Sequence, residues 1–180
     1  MGILRLNFPT VLTLSRIVLI PIFIFTVIRH TLFGAMVFGI ASITDFLDGY
    51  LARRSGEITK FGIILDPIAD KFLVISALIV LVDMERLPSW IAIMIIVREF
   101  LVTGLRAVAL AKDIVIPAEI GGKIKTTTQI AAIICLILKR DILNIDLYNV
   151  GTVLIWISLV LSIFSGIKYT VSFWRKMSTA

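Results

Sequence analysis

Six long apolar runs, at about residues 8–28, 32–51, 66–84, 88–111, 124–139 and 148–172, leave little of the 180-residue chain outside them. A helix needs about 20 apolar residues to cross a hydrocarbon core of about 30 Å. The runs approach or reach that length, and the tightest connections between them are only a few residues long. With 59% of residues hydrophobic and 17% charged, the composition argues against a water-soluble globule and leaves no room for a separate soluble domain. The expected fold is therefore all-α: a polytopic bundle of six transmembrane helices forming one domain over 1–180, with 1–7 as a short juxtamembrane segment. The first run is longer than a signal-peptide core and lacks a small-x-small cleavage site, so it reads as a retained helix.

Lys and Arg outnumber Asp and Glu by 18 to 12, a net charge of +6. In so apolar a chain that excess points to anionic lipid or phosphate partners rather than nucleic acid. Cytoplasmic segments of membrane proteins carry the surplus of Lys and Arg. With both termini inside, the inner segments hold Arg5, Arg53, Arg54, Lys60, Lys112, Lys123, Lys125, Arg175 and Lys176, and the outer loops hold Arg29, Arg86, Lys139 and Arg140. Nine against four predicts a multi-pass protein of the cell membrane with its termini in the cytoplasm. One cysteine, Cys135, and one histidine, His30, exclude an internal disulfide, a thiolate cluster and a His-rich metal site within one chain.

The chemistry concentrates in SITDFLDGYLARRSGEITKFGIILDPIADKF, where four carboxylates lie at or beside the ends of two apolar runs. Acids at membrane depth are costly and carry a function or a partner. At about 100° per residue, Asp45, Asp48 and Ala52 share one side of helix two. Asp66 and Asp70, four apart, share a face of helix three. A thirteen-residue connection, Arg53 to Leu65, lets the two helices turn back and gather the four acids. Such a group repels itself unless protons or cations neutralise it. Oxygen-only ligands suit Mg²⁺ or Mn²⁺, with Ca²⁺ also compatible, and paired metals would clamp a phosphate during displacement. Gly49 and Ala52 leave space for a ligand on that face, and Arg53 and Lys60 supply phosphate-pairing charge. The alternative is structural, with the acids paired to Arg16, Arg98 or Lys71.

The pattern Asp45-x2-Asp48-Gly49-x2-Ala52-Arg53-x8-Gly62-x3-Asp66-x3-Asp70 resembles the signature of the CDP-alcohol phosphatidyltransferases. The resemblance implies six transmembrane helices, a homodimer, and a cytoplasm-facing site that binds two divalent metal ions, Mg²⁺ or Mn²⁺. It also implies displacement of CMP from a CDP-linked lipid by an alcohol. On it, Asp45, Asp48, Asp66 and Asp70 are metal ligands and Asp70 is also the catalytic base. Gly49, Arg53 and Thr59 match positions that contact the CDP-diacylglycerol headgroup. Independently, with His30 placed in an outer loop, a carboxylate is the available general base.

The opening NFPTVLTLSR from Asn7 is similar to the NxPNxLTxxR start of the bacterial phosphatidylglycerophosphate synthases within that family, with Thr10 where Asn is usual. REFLVTGLRAVA from Arg98 and GGKIKTTTQ from Gly121 resemble segments of the same subfamily. That likeness covers about residues 7–130 and implies sn-glycerol 3-phosphate as acceptor, with phosphatidylglycerophosphate and CMP as products. Arg98 and Arg106 in an apolar helix fit an acceptor phosphate, because an unpaired guanidinium there is costly. Lys123 and Lys125 near the start of helix five fit it as well, beside free backbone N–H groups. The competing readings are ordinary positive-inside topology for the lysines and a structural ion pair for Arg98. Glu99, seven residues before Arg106, shares a helix side with it and is a candidate internal partner.

Two rival functions stand beside this one. A family member could use serine, inositol phosphate or phosphatidylglycerol as acceptor. A divalent-cation transporter would instead place its acids near mid-membrane, and Arg53 and Lys60 would repel its cargo. Among the remaining residues, Thr126, Thr127 and Thr128 read as ordinary helix threonines bonded to the preceding turn. Trp90, Trp156 and Trp174 read as interfacial aromatics, and Cys135 as packing.

Overall fold

The computed structural model describes the backbone of residues 8–55, 60–111, 120–142 and 145–177. Side chains are described within 18–44, 71–109, 124–140 and 146–176. Six helices form among the described residues: α1 (Phe8–Arg29), α2 (Thr31–Ser55), α3 (Lys60–Asp83), α4 (Ser89–Ala111), α5 (Ile120–Leu138) and α6 (Leu147–Met177). Each coincides with one of the apolar runs. The all-α class holds, with one local addition: β1 (Asp141–Ile142) pairs antiparallel with β2 (Ile145–Asp146) between α5 and α6. Lengths run from 19 residues in α5 to 31 in α6. Among the described residues one helix, α6 over Leu147–Lys176, is by length and composition apolar enough to cross a membrane. α4 is as long as a span but carries Arg98, Glu99 and Arg106.

One expectation is corrected. The thirteen-residue connection after helix two shrinks to residues 56–59, because α2 continues to Ser55 and α3 starts at Lys60. The stretch Ala52-Arg53-Arg54-Ser55 ends the apolar run but not the helix, since Ala and Arg are strong helix formers. Pro67 is best tolerated in a first helical turn, yet α3 begins seven residues before it.

The chain divides into two units, 1–80 and 81–180. In the first, α1 and α2 form an antiparallel hairpin about the single residue His30. Phe23 stacks on Phe38 with ring centroids 5.6 Å apart, and Gly34 lies against Val27. Both pairs sum to the same number, as antiparallel partners must. The His30 amide donates to Thr26 O and the Gly34 amide to His30 O, which carries hydrogen bonding across the turn. Gly34 is required by this approach, because a Cβ there would lie 2.5 Å from Val27 Cα. Gly34→Ala is expected to cost about 1–3 kcal/mol through overpacking. Thermal unfolding of the purified variant in detergent, read as a fall in Tm of several degrees, checks it.

In the second unit α4 and α6 run parallel. Their contacts climb together, from Trp90 on Trp156 through Arg98 on Ser162 to Arg106 over Tyr169. α5 packs on α6 where Gly151 meets Cys135 and Leu136, so Cys135 is a packing residue as the sequence indicates. Ile91, Ile95, Ile133, Leu136, Ile137 and Ile155 are buried. Asp146 caps α6, accepting from the amides of Tyr148 at 2.8 Å and Asn149 at 3.4 Å. α3 ends in a Schellman turn in which Arg86 N donates to Leu81 O and Glu85 N to Val82 O, with Glu85 at φ 54°. The Arg86 guanidinium then donates to the carbonyls of Leu136 and Ile137, capping α5 from the α3–α4 turn. Burial pushes its pKa below the usual arginine value.

The outward faces are apolar. Phe25, Ile40 and Phe164 are 65%, 65% and 70% exposed. Trp90, Trp156 and Trp174 are exposed as well, which suits interfacial aromatics. Surface of this kind is stable against lipid rather than water.

Candidate active site

The aspartates occupy the first unit. Asp45 and Asp48 lie in α2, ten and seven residues before Ser55; Asp66 and Asp70 lie in α3, six and ten residues after Lys60. Measured along its own helix from the end next to 56–59, each aspartate lies about 9–15 Å away at 1.5 Å per residue. Gly49 and Arg53 follow on α2, and Thr59 lies outside the described residues. The side chains of residues 45–70 also lie outside them. Among the described residues no group of three or more His, Cys, Asp or Glu gathers, so the backbone placement and donor chemistry are what bear on a metal. The donor chemistry fits a hard divalent ion: four oxygen-donor carboxylates, two on each of two consecutive helices.

The cations occupy the second unit, where side chains are described. Arg98 is fixed from three directions: Nε donates to Ser162 O at 2.8 Å, Nη1 to Glu99 Oε1 at 3.0 Å, and Nη2 to Ser165 Oγ. Glu99 Oε1 also accepts from Lys125 Nζ, which joins α4 to α5. Lys125 is buried, with its residue only 4% exposed. Arg106, two turns beyond Arg98, places its guanidinium carbon 5.7 Å from the Tyr169 ring centroid. Lys123 lies on α5 three residues after its first residue, Ile120, with its side chain outside the described residues. Thus Arg98 and Lys125 meet on one carboxylate, which brings two cations and an anion together among apolar helices.

Three features of this centre are absent from the reading of the sequence. Glu99 bridges its neighbour Arg98 on α4 and Lys125 on α5, 26 residues further on. Ser162 and Ser165 on α6 orient Arg98. Gly166 makes room for it, since a Cβ there would lie 3.3 Å from both Arg98 Cγ and Nε. The small-residue cluster Ser162-x-x-Ser165-Gly166 was the available signal, because small residues mark close helix contacts in membranes. Thr128 donates to Ile124 O at 2.8 Å, the ordinary helix role expected of it.

Among the described residues the chain is six helices and one short hairpin, with apolar outward faces that suit a membrane. Residues 6–164 match the family described as CDP-alcohol phosphatidyltransferase, and the chain belongs to that family. Its relatives extend the likeness over 91–97% of the chain. A CDP-diacylglycerol–glycerol-3-phosphate 3-phosphatidyltransferase of Bacillus subtilis (strain 168) is 39% identical, covering 97% of this chain and 98% of its own. A protein of the same name from Wigglesworthia glossinidia brevipalpis is 33% identical with the same coverage. A probable phosphatidylglycerophosphate synthase of Mycobacterium tuberculosis (strain ATCC 25618 / H37Rv) is 38% identical over 91% of this chain and 79% of its own.

Proposed function

We propose that this chain transfers the phosphatidyl group of CDP-diacylglycerol to sn-glycerol 3-phosphate, releasing CMP and forming phosphatidylglycerophosphate. The observation that carries this reading is the near end-to-end likeness to phosphatidyltransferases of that name. It is supported by the family signature from Asp45 to Asp70. The whole of 1–180 acts as one catalytic domain whose six helices span the cell membrane, with the site facing the cytoplasm and a homodimer as the working unit. The count of basic residues supports that orientation, and three of the four outer cations have local structural partners. Arg29 lies over Phe25, Lys139 over Tyr148, and Arg86 caps α5.

Asp45, Asp48, Asp66 and Asp70 would hold two divalent ions, Mg²⁺ or Mn²⁺. When bound, these supply electrostatic stabilisation of charge on the diphosphate. Gly49 gives the lipid headgroup close access to α2, and Arg53 and Thr59 bind its diphosphate. Asp70 accepts the proton of the acceptor's primary hydroxyl, whose oxygen attacks the lipid-side phosphorus as the bond to CMP breaks. Arg98, Arg106, Lys123 and Lys125 bind the acceptor's phosphate and so hold that hydroxyl in place, which is where most of the orientational advantage arises.

The test is CMP release by purified protein in detergent with CDP-diacylglycerol and Mg²⁺ or Mn²⁺, comparing glycerol 3-phosphate with serine, inositol phosphate and phosphatidylglycerol. Release driven by glycerol 3-phosphate alone and stopped by EDTA is expected. Release with another acceptor would overturn the acceptor assignment while keeping the reaction. Cation flux without any CMP release would replace the enzyme by a transporter.

A further inference from the structure

Arginine recognises phosphate best when its planar fork is already oriented, because little side-chain freedom is then lost on binding. The surroundings of Arg98 supply that orientation from a helix to which the sequence assigned no role. α6 lies parallel to α4, and its Ser162 carbonyl accepts from Nε at 2.8 Å. The Ser165 hydroxyl donates back to the same Ser162 carbonyl at 3.3 Å, so its oxygen faces Arg98 purely as an acceptor for Nη2. Gly166 keeps this contact open: an added Cβ would press on Cγ and Nε of Arg98, both at 3.3 Å. Three of the five guanidinium N–H donors are used by Ser162, Ser165 and Glu99. Two donors remain on a group that cannot swing. The Glu99 carboxylate that accepts from Nη1 is shared with Lys125.

We infer that Ser165 and Gly166 of α6 are positioning residues of the acceptor site: they hold the Arg98 guanidinium in the orientation that receives the acceptor's phosphate. This rests on the proposed reaction and adds α6 to the elements that set acceptor affinity. A positioning role differs from mere packing in what it changes. Loss of the Ser165 hydroxyl frees the guanidinium to rotate, which weakens the acceptor's binding and leaves CDP-diacylglycerol untouched.

The experiment uses the full chain in detergent with Ser165→Ala, Ser165→Thr and Gly166→Ala. It reads KM for each substrate, kcat, Tm, and the rise in Tm that glycerol 3-phosphate alone produces. Ser165→Ala is expected to raise KM for glycerol 3-phosphate about five- to tenfold, near the lower range for one hydrogen bond to a charged group. It should shrink the ligand-induced rise in Tm and leave KM for CDP-diacylglycerol and the ligand-free Tm in place. Ser165→Thr, which keeps the hydroxyl, is expected to stay within about twofold of wild type on the same scale. Gly166→Ala should move the acceptor KM in the same direction as Ser165→Ala. An unchanged acceptor KM in Ser165→Ala overturns the inference, as does an equal change in both KM values accompanied by a fall in ligand-free Tm. Should Gly166→Ala fail to fold, the Ser165 pair decides alone. Failure of the wild type to release CMP with glycerol 3-phosphate would remove the proposed reaction and this inference with it. Normal wild-type activity with an unmoved Ser165→Ala removes the inference only.

Discussion

Asp70→Asn is expected to lower glycerol 3-phosphate-dependent CMP release by about 10³-fold or more, without lowering Tm. A positioned general base contributes about 10²–10⁴-fold, and an amide in its place can neither take the hydroxyl proton nor contribute a full negative charge to a divalent ion. The swap preserves size and leaves α3 its backbone hydrogen bonds, so folding should survive. On the proposed site, removing one of four gathered anions relieves repulsion when no metal is bound. The check pairs a single-turnover CMP assay with thermal unfolding at several Mg²⁺ concentrations. Both the rate loss and a weaker metal-induced rise in Tm are expected. Full activity in Asp70→Asn would remove Asp70 from both roles and with it the catalytic assignment.

The extent to which this molecule is legible in its sequence follows from how local each feature is. Six helices are visible because each apolar run nears the length of a membrane crossing, and the structure places a helix on every one. The aspartate signature is visible because its spacing lies within two neighbouring helices. Helix ends are less legible where polarity changes but propensity does not. α2 runs on through Arg53 and Arg54, α5 begins at Ile120 ahead of the Gly121-Gly122 pair, and α6 continues through Trp174, Arg175 and Lys176. Hydrophobicity stops at those points, while backbone hydrogen bonding continues. Least legible is the basic centre. Residue types flag Arg98, Arg106 and Lys125 as costly cations, but the pairing of Glu99 with Lys125 across 26 residues, and of Arg98 with Ser165 across 67, depends on which helices lie side by side. Periodicity within one helix says nothing of that. It does identify Glu99 as a partner, and the structure redirects its carboxylate to Arg98 and Lys125.

The same centre yields the second large effect, because its charge count separates recognition from stability. Arg98, Lys125 and Glu99 together carry one net positive charge. Arg98→Ala leaves Glu99 paired with Lys125, a neutral pair. Glu99→Ala leaves two cations in an apolar setting without their shared carboxylate. Breaking a buried ion pair by removing one partner costs about 3–5 kcal/mol, so Glu99→Ala, which removes the carboxylate that Arg98 and Lys125 share, should lower Tm clearly. Arg98→Ala should leave Tm nearly unchanged, since the Ser165 hydroxyl keeps Ser162 O as a partner. Its effect belongs instead to the acceptor. Loss of a charged, hydrogen-bonded anchor for a phosphate removes about 3–4 kcal/mol of binding, or about 10²–10³-fold in kcat/KM for glycerol 3-phosphate. Arg98→Lys should recover only part of it, because an ammonium cannot reproduce a fork held at Nε and Nη2. Kinetics in both substrates and unfolding of the three variants decide the matter. An Arg98→Ala protein that loses as much stability as Glu99→Ala, yet binds glycerol 3-phosphate normally, would make Arg98 a structural ion pair. A fall in acceptor kcat/KM at unchanged Tm would make it the phosphate anchor, with Glu99 keeping two like charges together at a site that only an anion completes.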